Sequence, residues 1–389
     1  MLRPIYLDHM ATTPCDQRVF DVMAPFFVEH FGNASSKSHA YGWAAEEAVK
    51  LAREQVAALI GATPREIVFL SGASEGNNLA IKGAMSAYAS KGNHIISQPT
   101  EHKAVLDTVK WLETQGVEVT WLPVSEGGRV SVDDVAAAIR PNTVIVSVMH
   151  ANNELGTVNP IAEIGALCKD RGVLFHTDAA QTSGKLPIDV EAMGIDLLSM
   201  SGHKLYAPKG VGALYVRRRS PRVKLDAQMH GGSQERGFRS GTLAVPLLVA
   251  LGAAAKLGQQ VMADEATRLA GLRDRLWRGI SGGVDGVVRN GDPDHCLPHC
   301  LHISIDDIAA DVMMSNLRGL AISSGSACSS ATLAPSHVLR AVGMADERAH
   351  ASLRFGLGRK TTEAEVDQAI EQVVAAVPKV RELIRGQRL

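Results

Sequence analysis

Lys204 closes a short polar stretch, 199–204, that follows the apolar run 195–198. An amine among small residues at the mouth of a sheet can form a Schiff base with an aldehyde cofactor such as pyridoxal 5'-phosphate (PLP). Upstream, the apolar residues 173–175 run into His176-Thr177-Asp178, where a carboxylate can pair with a protonated pyridine nitrogen. Lys204 alone is compatible with a solvated surface lysine, but together with Asp178 it favours a cofactor enzyme.

Residues 71–78 are small and polar, follow the expected strand 67–70 and open a helix. Because the amides and dipole of a helix N-terminus favour an anion, this stretch with Ser74 predicts a phosphate site. The alternative is an ordinary N-cap at Ser74. The chain has no Walker or dinucleotide glycine pattern, so a nucleotide is the weaker candidate ligand.

Two more polar stretches, 100–103 and 149–156, also follow expected strands. His102 can stack on a ring or move a proton, and the alternative is a plain loop histidine. Asn153 can hold a ring oxygen, or its stretch can be an Asx turn. Since ligands bind at the carboxyl ends of strands in parallel sheets, we expect both near Lys204.

Cys328 lies among small residues in the stretch 322–335. A thiol with a pKa of about 8.5 is mostly protonated at neutral pH, so a nucleophile here needs local help to form thiolate. The alternative is a surface cysteine on a linker. Near the C-terminus, Arg354 falls in an expected strand, where its guanidinium can bind a substrate carboxylate.

Two stretches leave other ligands open. Imidazoles and thiols lie close together at 295–302, a composition that can bind zinc. However, Cys296 and Cys300 run into a strand whose alternate side chains face opposite ways, so we expect no metal. The glycine- and arginine-rich stretch 231–242 fits an anion site or a flexible surface loop.

Short β-rich runs alternate with helical patterns from residue 65 to 216 and predict a mostly parallel sheet built from βα units. The expected strands are 67–70, 94–97, 117–123, 143–149, 173–176 and 212–217, with helices at 105–115, 132–139 and 161–170. A helical stretch, 246–279, leads to a smaller α+β unit. That unit has expected strands at 301–305 and 321–324 and a final helix at 363–385.

Composition excludes several partner classes. With 40 basic and 41 acidic residues, the chain of 389 residues offers no reason to expect nucleic acid or an anionic membrane. The N-terminus lacks a signal-peptide core, and the apolar stretch 243–257 is interrupted by Pro246 and too short for a membrane span. The 5 cysteines form no disulfide pattern. We therefore expect a cytoplasmic protein.

Taken together, these stretches resemble the cysteine desulfurases of the class V aminotransferase superfamily, and more closely the NifS/IscS-like group. The matching motifs run nearly end to end: 6–8, 11–14, 32–36, 71–75, 100–103, 152–154, 178–181, 201–204, 239–242, 323–328 and 353–355. Three stretches depart from the family pattern, namely His9-Met10, Ser74 in place of threonine, and 298–302.

The resemblance implies an α/β protein of PLP-dependent fold type I that forms a homodimer. It implies a large domain, 16–258, with a mostly parallel seven-stranded sheet, and a small α+β domain, 1–15 and 259–389. The small domain would carry the catalytic cysteine loop.

The resemblance also implies the roles of individual residues. Lys204 would carry PLP, Asp178 would pair with its ring nitrogen, and Gln181 would meet its ring hydroxyl. His102 would stack on the ring and assist proton transfer, Asn153 would lie near the ring oxygen, and Arg354 would bind the substrate carboxylate. Ala73, Ser74, Ser201 and His203 would hold the phosphate, with Thr242 from the other subunit.

The implied reaction removes sulfur from L-cysteine, leaving L-alanine and a persulfide on Cys328. The sulfur would pass to an iron-sulfur scaffold protein or another acceptor. Two related activities remain open: an aminotransferase, which would leave Cys328 idle, and a selenocysteine lyase. An interaction subunit without chemistry is a third alternative.

Overall fold

A computed structural model describes residues 3–324 and 335–387. Its strands are β1 (Ile5–Tyr6), β2 (Ile67–Leu70), β3 (His94–Ser97), β4 (Glu118–Trp121), β5 (Thr143–Ser147), β6 (Leu174–Asp178), β7 (Leu197–Ser201), β8 (Gly212–Val216), β9 (Val287–Arg289), β10 (Cys300–Ile305), β11 (Leu320–Ala321), β12 (Ser323–Ser324) and β13 (Ser352–Gly356). Its helices are α1 (Gln17–Met23), α2 (Pro25–Val28), α3 (Ala40–Leu59), α4 (Ala73–Ala87), α5 (Lys103–Thr114), α6 (Val132–Ala138), α7 (Ile161–Asp170), α8 (Val245–Gly283), α9 (Ala310–Asn316), α10 (His337–Ala341), α11 (Asp346–His350) and α12 (Glu363–Gln387).

The larger sheet has seven strands in the order β2-β8-β7-β6-β5-β3-β4. The pairs from β7 through β6, β5 and β3 to β4 are parallel, whereas β8 is antiparallel to both β2 and β7. The carboxyl ends of β5, β6 and β7 therefore meet at one edge of the sheet. This confirms the mostly parallel seven-stranded sheet that the family resemblance implied.

Strand ends differ from the predicted ones by a few residues. The strand expected at 173–176 continues through Asp178, and β7 continues through Ser199, Met200 and Ser201. The reason is that β6 pairs with β7 as far as Ser199 and β8 pairs with β7 as far as Ser201, so cross-strand hydrogen bonds extend the strands beyond their apolar runs. The expected strands 117–123 and 143–149 are shorter, as β4 and β5.

A second, smaller sheet has four antiparallel strands in the order β12-β13-β10-β9. Alternate residues of β10 and β13, such as Ile303 and Leu353, pack with α8 and α12 in an apolar core. Their intervening residues, such as His302 and Arg354, lie on the other face, since side chains alternate along a strand. The small sheet thus presents a buried polar face that carries Arg354.

Helix α8 belongs to both cores. Its first half, including Leu251 and Leu257, packs in the core of the larger sheet, and its second half, including Leu272 and Ile280, packs in the core of the small sheet. By length and composition alone α8 is suited to cross a membrane, but 56% of its most apolar window is buried. It is a buried core helix. The domain division after residue 258 falls inside α8 and stays a prediction.

Candidate active site

A cavity of about 510 Å³ lies at the carboxyl ends of β5, β6 and β7. Its lining includes most of the residues that the sequence singled out: Ala73, Ser74, His102, Asn153, Asp178, Gln181, Ser201, His203, Lys204 and Arg354. Residues separated by up to about 280 positions in the chain are therefore brought to one place. Their individual roles stay predictions, which the geometry below makes specific.

Asp178 ends β6 and is held from two sides. Its Oδ1 accepts the amide N–H of Ala180 at 2.9 Å, and its Oδ2 accepts the Nδ2–H of Asn77 at 2.7 Å. Asn77 lies on α4 and is fully buried. The carboxylate is thus fixed in orientation at the wall of the cavity, where it can face a cationic ring nitrogen.

Gln181 follows one turn after Asp178, and only one end of its side-chain amide is hydrogen-bonded within the described residues. Its Nε2–H donates to the carbonyl of Met10 at 3.0 Å. Its Oε1 is buried and has no hydrogen-bond partner among the residues that the structure describes. Because a buried carbonyl oxygen without a donor is costly, this atom is available to accept a hydrogen bond from a hydroxyl or N–H of a bound group.

The Lys204 amine lies where the N-terminal segment crosses the end of β7. It donates to the carbonyl of Ala11 at 2.8 Å and also to the carbonyl of Met10. The next residue upstream, His203, contacts the Thr12 hydroxyl through Nδ1 at 3.0 Å. The backbone of residues 10–12 therefore orients the amine toward the cavity.

Helix α4 presents its N-terminus to the same cavity. Its N-cap is Gly72, which has no side chain to satisfy the first amides of the helix. A Cβ on Gly212 would lie 2.6 Å from the Gly72 Cα, so β8 approaches this turn closely. The alternative of an N-cap at Ser74 is wrong, because Ser74 already lies within the helix. Amides, a serine hydroxyl and a helix dipole are thus available for an anion.

Two cavity histidines are neutral at pH 7. Burial lowers the pKa of His102, and burial followed by the charge of Lys204 lowers the pKa of His203 to about 4. His102 is the N-cap of α5, and its Nδ1 accepts the Ala104 N–H at 3.1 Å. Since Nδ1 is an acceptor, the proton of the neutral His102 ring lies on Nε2.

Arg354 reaches the cavity from β13 of the small sheet. Its Nη1 donates to the carbonyl of Asn153 at 2.8 Å, and its Nη2 donates to Asp8 Oδ1 at 2.9 Å. The side chain is only 3% exposed. Two of its nitrogens are therefore anchored, which orients the guanidinium while it retains further N–H groups.

The turn that carries Asn153 contains an Asx turn, as the alternative interpretation expected. Asn152, rather than Asn153, forms it: Asn152 Oδ1 accepts the amides of Glu154 and Leu155, both at 2.8 Å. Asn153 itself lines the cavity, where it can contact a ring oxygen.

The histidines and cysteines at 295–302 do not converge on one point. His295 contacts Asp292 at 3.1 Å, His299 contacts Lys185 at 3.2 Å, and His302 contacts Asn290 at 2.9 Å. Cys296 and Cys300 instead pack against Gly156. Within residues 3–324 and 335–387, no group of three or more His, Cys, Asp or Glu side chains could hold a metal ion.

Two predicted site residues are not among those that the structure places at the cavity. Thr242 is exposed in the loop after the short helical turn Gln234–Gly237 and does not line the cavity of its own chain. That loop is anchored by Glu235, whose carboxylate accepts from Arg53 at 2.6 Å and 2.7 Å. Cys328 lies outside the described residues, so its role stays a prediction.

The cavity residues fit PLP. A carboxylate, an amine, a helix N-terminus and the unpartnered Gln181 Oε1 are the groups that a ring nitrogen, an aldehyde, a phosphate and a ring hydroxyl require. All four line the same cavity of about 510 Å³, which is large enough for the cofactor.

A family model described as Aminotransferase class-V matches residues 5–369. The chain belongs to the class V aminotransferase family. Among curated proteins, it is 55% identical over 380 residues to "Cysteine desulfurase IscS" of Anaeromyxobacter sp. (strain Fw109-5), covering 98% of this chain and 94% of that protein.

Solved structures give the same picture. A "NIFS-LIKE PROTEIN" superposes with a TM-score of 0.89 at 33% identity, covering 96% of this chain and 99% of the other. "SspA in complex with cysteine" superposes with a TM-score of 0.80 at 39% identity, covering 91% and 98%. The comparisons confirm the predicted family, the fold class and the prediction of a cysteine desulfurase.

Sequence reasoning missed Asn77, Asp8 and the carbonyl oxygens of residues 10–11. Asn77 left a signal: it is a polar residue on the otherwise apolar buried face of α4, between Gly76 and Leu79. Asp8 and the two carbonyls left none, because their partners, Arg354 and Lys204, are remote in sequence.

Proposed function

We propose that this protein is a PLP-dependent cysteine desulfurase that converts L-cysteine to L-alanine and leaves the sulfur as a persulfide on Cys328. The observation that carries the proposal is the single cavity that joins the Lys204 amine, the Asp178 carboxylate and the Arg354 guanidinium. The cysteine-bound relative supports L-cysteine as the substrate.

PLP supplies an electron sink for the bond changes at the substrate Cα when it is bound through Lys204. Asp178, held by Asn77 and the Ala180 amide, keeps the ring nitrogen protonated. Gln181 Oε1, which has no partner in the described part of the chain, would accept a hydrogen bond from the ring hydroxyl.

The phosphate binds at the N-terminus of α4, with Ala73 and Ser74, and against Ser201 and His203 from the end of β7. Thr242 of a second subunit completes this set. His203 would offer a ring nitrogen to the phosphate; in the protein alone, burial and then the charge of Lys204 lower its pKa to about 4.

Arg354 binds the carboxylate of L-cysteine with the N–H groups that Asn153 and Asp8 leave available. Asn153, which lines the same cavity, would lie near both the ring oxygen and the substrate.

Proton transfers are assigned to two residues. The Lys204 amine would act as the base for the Cα proton. His102, neutral with its proton on Nε2, would stack on the ring and assist proton transfer at the thiol. The Cys328 thiolate would attack the substrate sulfur. The S–S bond forms as the C–S bond breaks, and the electron pair left on the substrate carbon takes up a proton, which gives L-alanine.

We infer that the enzyme is a homodimer. Large apolar side chains are exposed along residues 20–43, among them Phe27 at 55%, Phe31 at 64% and Trp43 at 56%. Several large exposed apolar side chains within one short stretch of the chain support a protein interface there. We further propose a cytoplasmic enzyme that passes sulfur to an iron-sulfur scaffold protein or another acceptor, without nucleic-acid or membrane partners.

The test is to incubate PLP-loaded protein with L-cysteine and measure released alanine together with the mass of the Cys328 peptide. We expect alanine and an added sulfur, with both lost in Cys328→Ser. Formation of the pyridoxamine cofactor, or of pyruvate without added sulfur, would instead indicate another reaction of the family.

A further inference from the structure

The start of helix α10 is attached to two turns that carry proposed site residues. Ser336, the N-cap of α10, donates its hydroxyl proton to Glu154 Oε2 at 2.5 Å and accepts the Val338 N–H at 3.1 Å. His337 donates from Nε2 to the carbonyl of Glu101 at 3.0 Å. Glu154 directly follows Asn153, and Glu101 directly precedes His102.

These two turns form one unit. Asn152 Nδ2 donates to the Thr100 carbonyl at 2.9 Å, and Glu101 Oε1 accepts the Met149 N–H at 2.5 Å. The apolar side of α10 also packs on this unit, since Val338 and Leu339 form a buried cluster with Leu155. Helix α10 is thus seated on both turns by hydrogen bonds and by packing.

The chain on the other side of residues 325–334 is attached to the same site. Ser323 pairs with Arg354 across β12 and β13, and Ser324 pairs with Leu353. The two ends of the segment that includes Cys328 are therefore tied to residues next to His102, Asn153 and Arg354. Neither attachment touches the residues that we assign to PLP.

The electrostatics support a maintained contact at Glu154. Burial raises the pKa of Glu154 to about 7, while the Ser336 hydrogen bond and the Arg354 charge act in the opposite direction. Ser336 itself is only 5% exposed, so its bond to the carboxyl is shielded from water. Losing the hydroxyl would leave a buried carboxyl without this donor.

We infer that Ser336 and His337 are positioning residues for sulfur transfer: they hold the chain that follows Cys328 on the turns of His102 and Asn153. This inference rests on the proposed function. It predicts that their loss slows the arrival of sulfur at Cys328 and leaves cysteine binding unchanged.

The experiment uses PLP-loaded enzyme in single turnovers with L-cysteine. One readout is the rate at which the Cys328 peptide gains the mass of sulfur, and the other is the cysteine affinity from the absorbance change of the bound cofactor. For Ser336→Ala and His337→Leu we expect a rate at least about tenfold lower, as for a misplaced reacting group, with cysteine affinity within about twofold. Ser336→Thr and His337→Gln, which keep a donor, should restore most of the rate.

Ser131→Ala is the matched control, because Ser131 is also the N-cap of a short helix, α6, with its Oγ 3.2 Å from the Asp133 amide. Wild-type rates in both Ser336→Ala and His337→Leu would overturn the inference, as would an equal loss of rate and cysteine affinity. If the wild-type Cys328 peptide gains no sulfur at all, the proposed function itself has failed.

Discussion

Replacing Asn77 by alanine tests whether the hydrogen bond from Asn77 to Asp178 contributes to PLP affinity. Asn77 makes a 2.7 Å hydrogen bond to Asp178 Oδ2, and both residues are buried. A hydrogen bond to a charged group contributes about 1.5–3 kcal/mol. If the full amount acts on the bound cofactor, PLP affinity falls by roughly 10- to 150-fold.

Folding stability should change much less than PLP affinity. Asn77 Oδ1 is buried without a hydrogen-bond partner in the described part of the chain, so alanine also removes an unsatisfied acceptor. That removal offsets part of the lost hydrogen bond. We therefore expect the melting temperature of the PLP-free protein to change little.

The assay is an absorbance titration of PLP-free enzyme with PLP, followed by alanine release at saturating PLP. Asn316→Ala is the control, because Asn316 is an exposed helical asparagine whose Nδ2 donates only to the Val312 carbonyl at 2.9 Å. A PLP affinity within twofold of wild type in Asn77→Ala would refute the reasoning, since Asp178 would then not depend on its partner.

Three further outcomes are expected. Arg354→Lys keeps the positive charge but loses the planar guanidinium that donates to the Asn153 carbonyl and to Asp8. KM for L-cysteine in alanine release should therefore rise about tenfold or more. An unchanged KM would contradict this role. Gly156→Ala should lower the melting temperature more than Gly172→Ala, because both have positive φ but only the first places a Cβ 2.8 Å from Cys300; equal losses would exclude the collision. Burial lowers the pKa of His176 to about 4, below its ordinary 6.5. Its contribution to the free energy of unfolding is therefore fully present above pH 6.5 and falls by about 1.4 kcal/mol per pH unit as the pH drops toward 4. His176→Gln should flatten the fall in melting temperature from pH 7 to pH 5, and an unaltered slope would oppose this.

Much of the candidate site could be predicted because it follows a local rule. Lys204 and Asp178 each stand where an apolar run turns polar, and such positions in a parallel sheet meet at one edge. The same rule located His102, Asn153 and the N-terminus of α4. Prediction was weaker where pairing extended a strand: Ser199 to Ser201 continue β7 through hydrogen bonds with neighbouring strands.

The structure also decides two alternatives that the sequence left open. Ser74 is a reasonable N-cap by residue type, but the helix begins one residue earlier, with Gly72 at the cap and Ser74 inside the helix. The zinc alternative arose from spacing at 295–302. The structure turns His299 toward Lys185 and His302 toward Asn290, which are contacts that spacing does not encode.

By itself, the sequence determined the family, the alternation of strands and helices, and the residue types needed for PLP chemistry, because these depend on local composition and order. The tertiary structure alone decided which groups hold the site side chains in place. Asn77 on Asp178, Asp8 on Arg354 and the carbonyls of residues 10–11 on Lys204 are contacts between segments remote in the chain. Such contacts form only when the sheet and the N-terminal segment pack together, so no local pattern marks them.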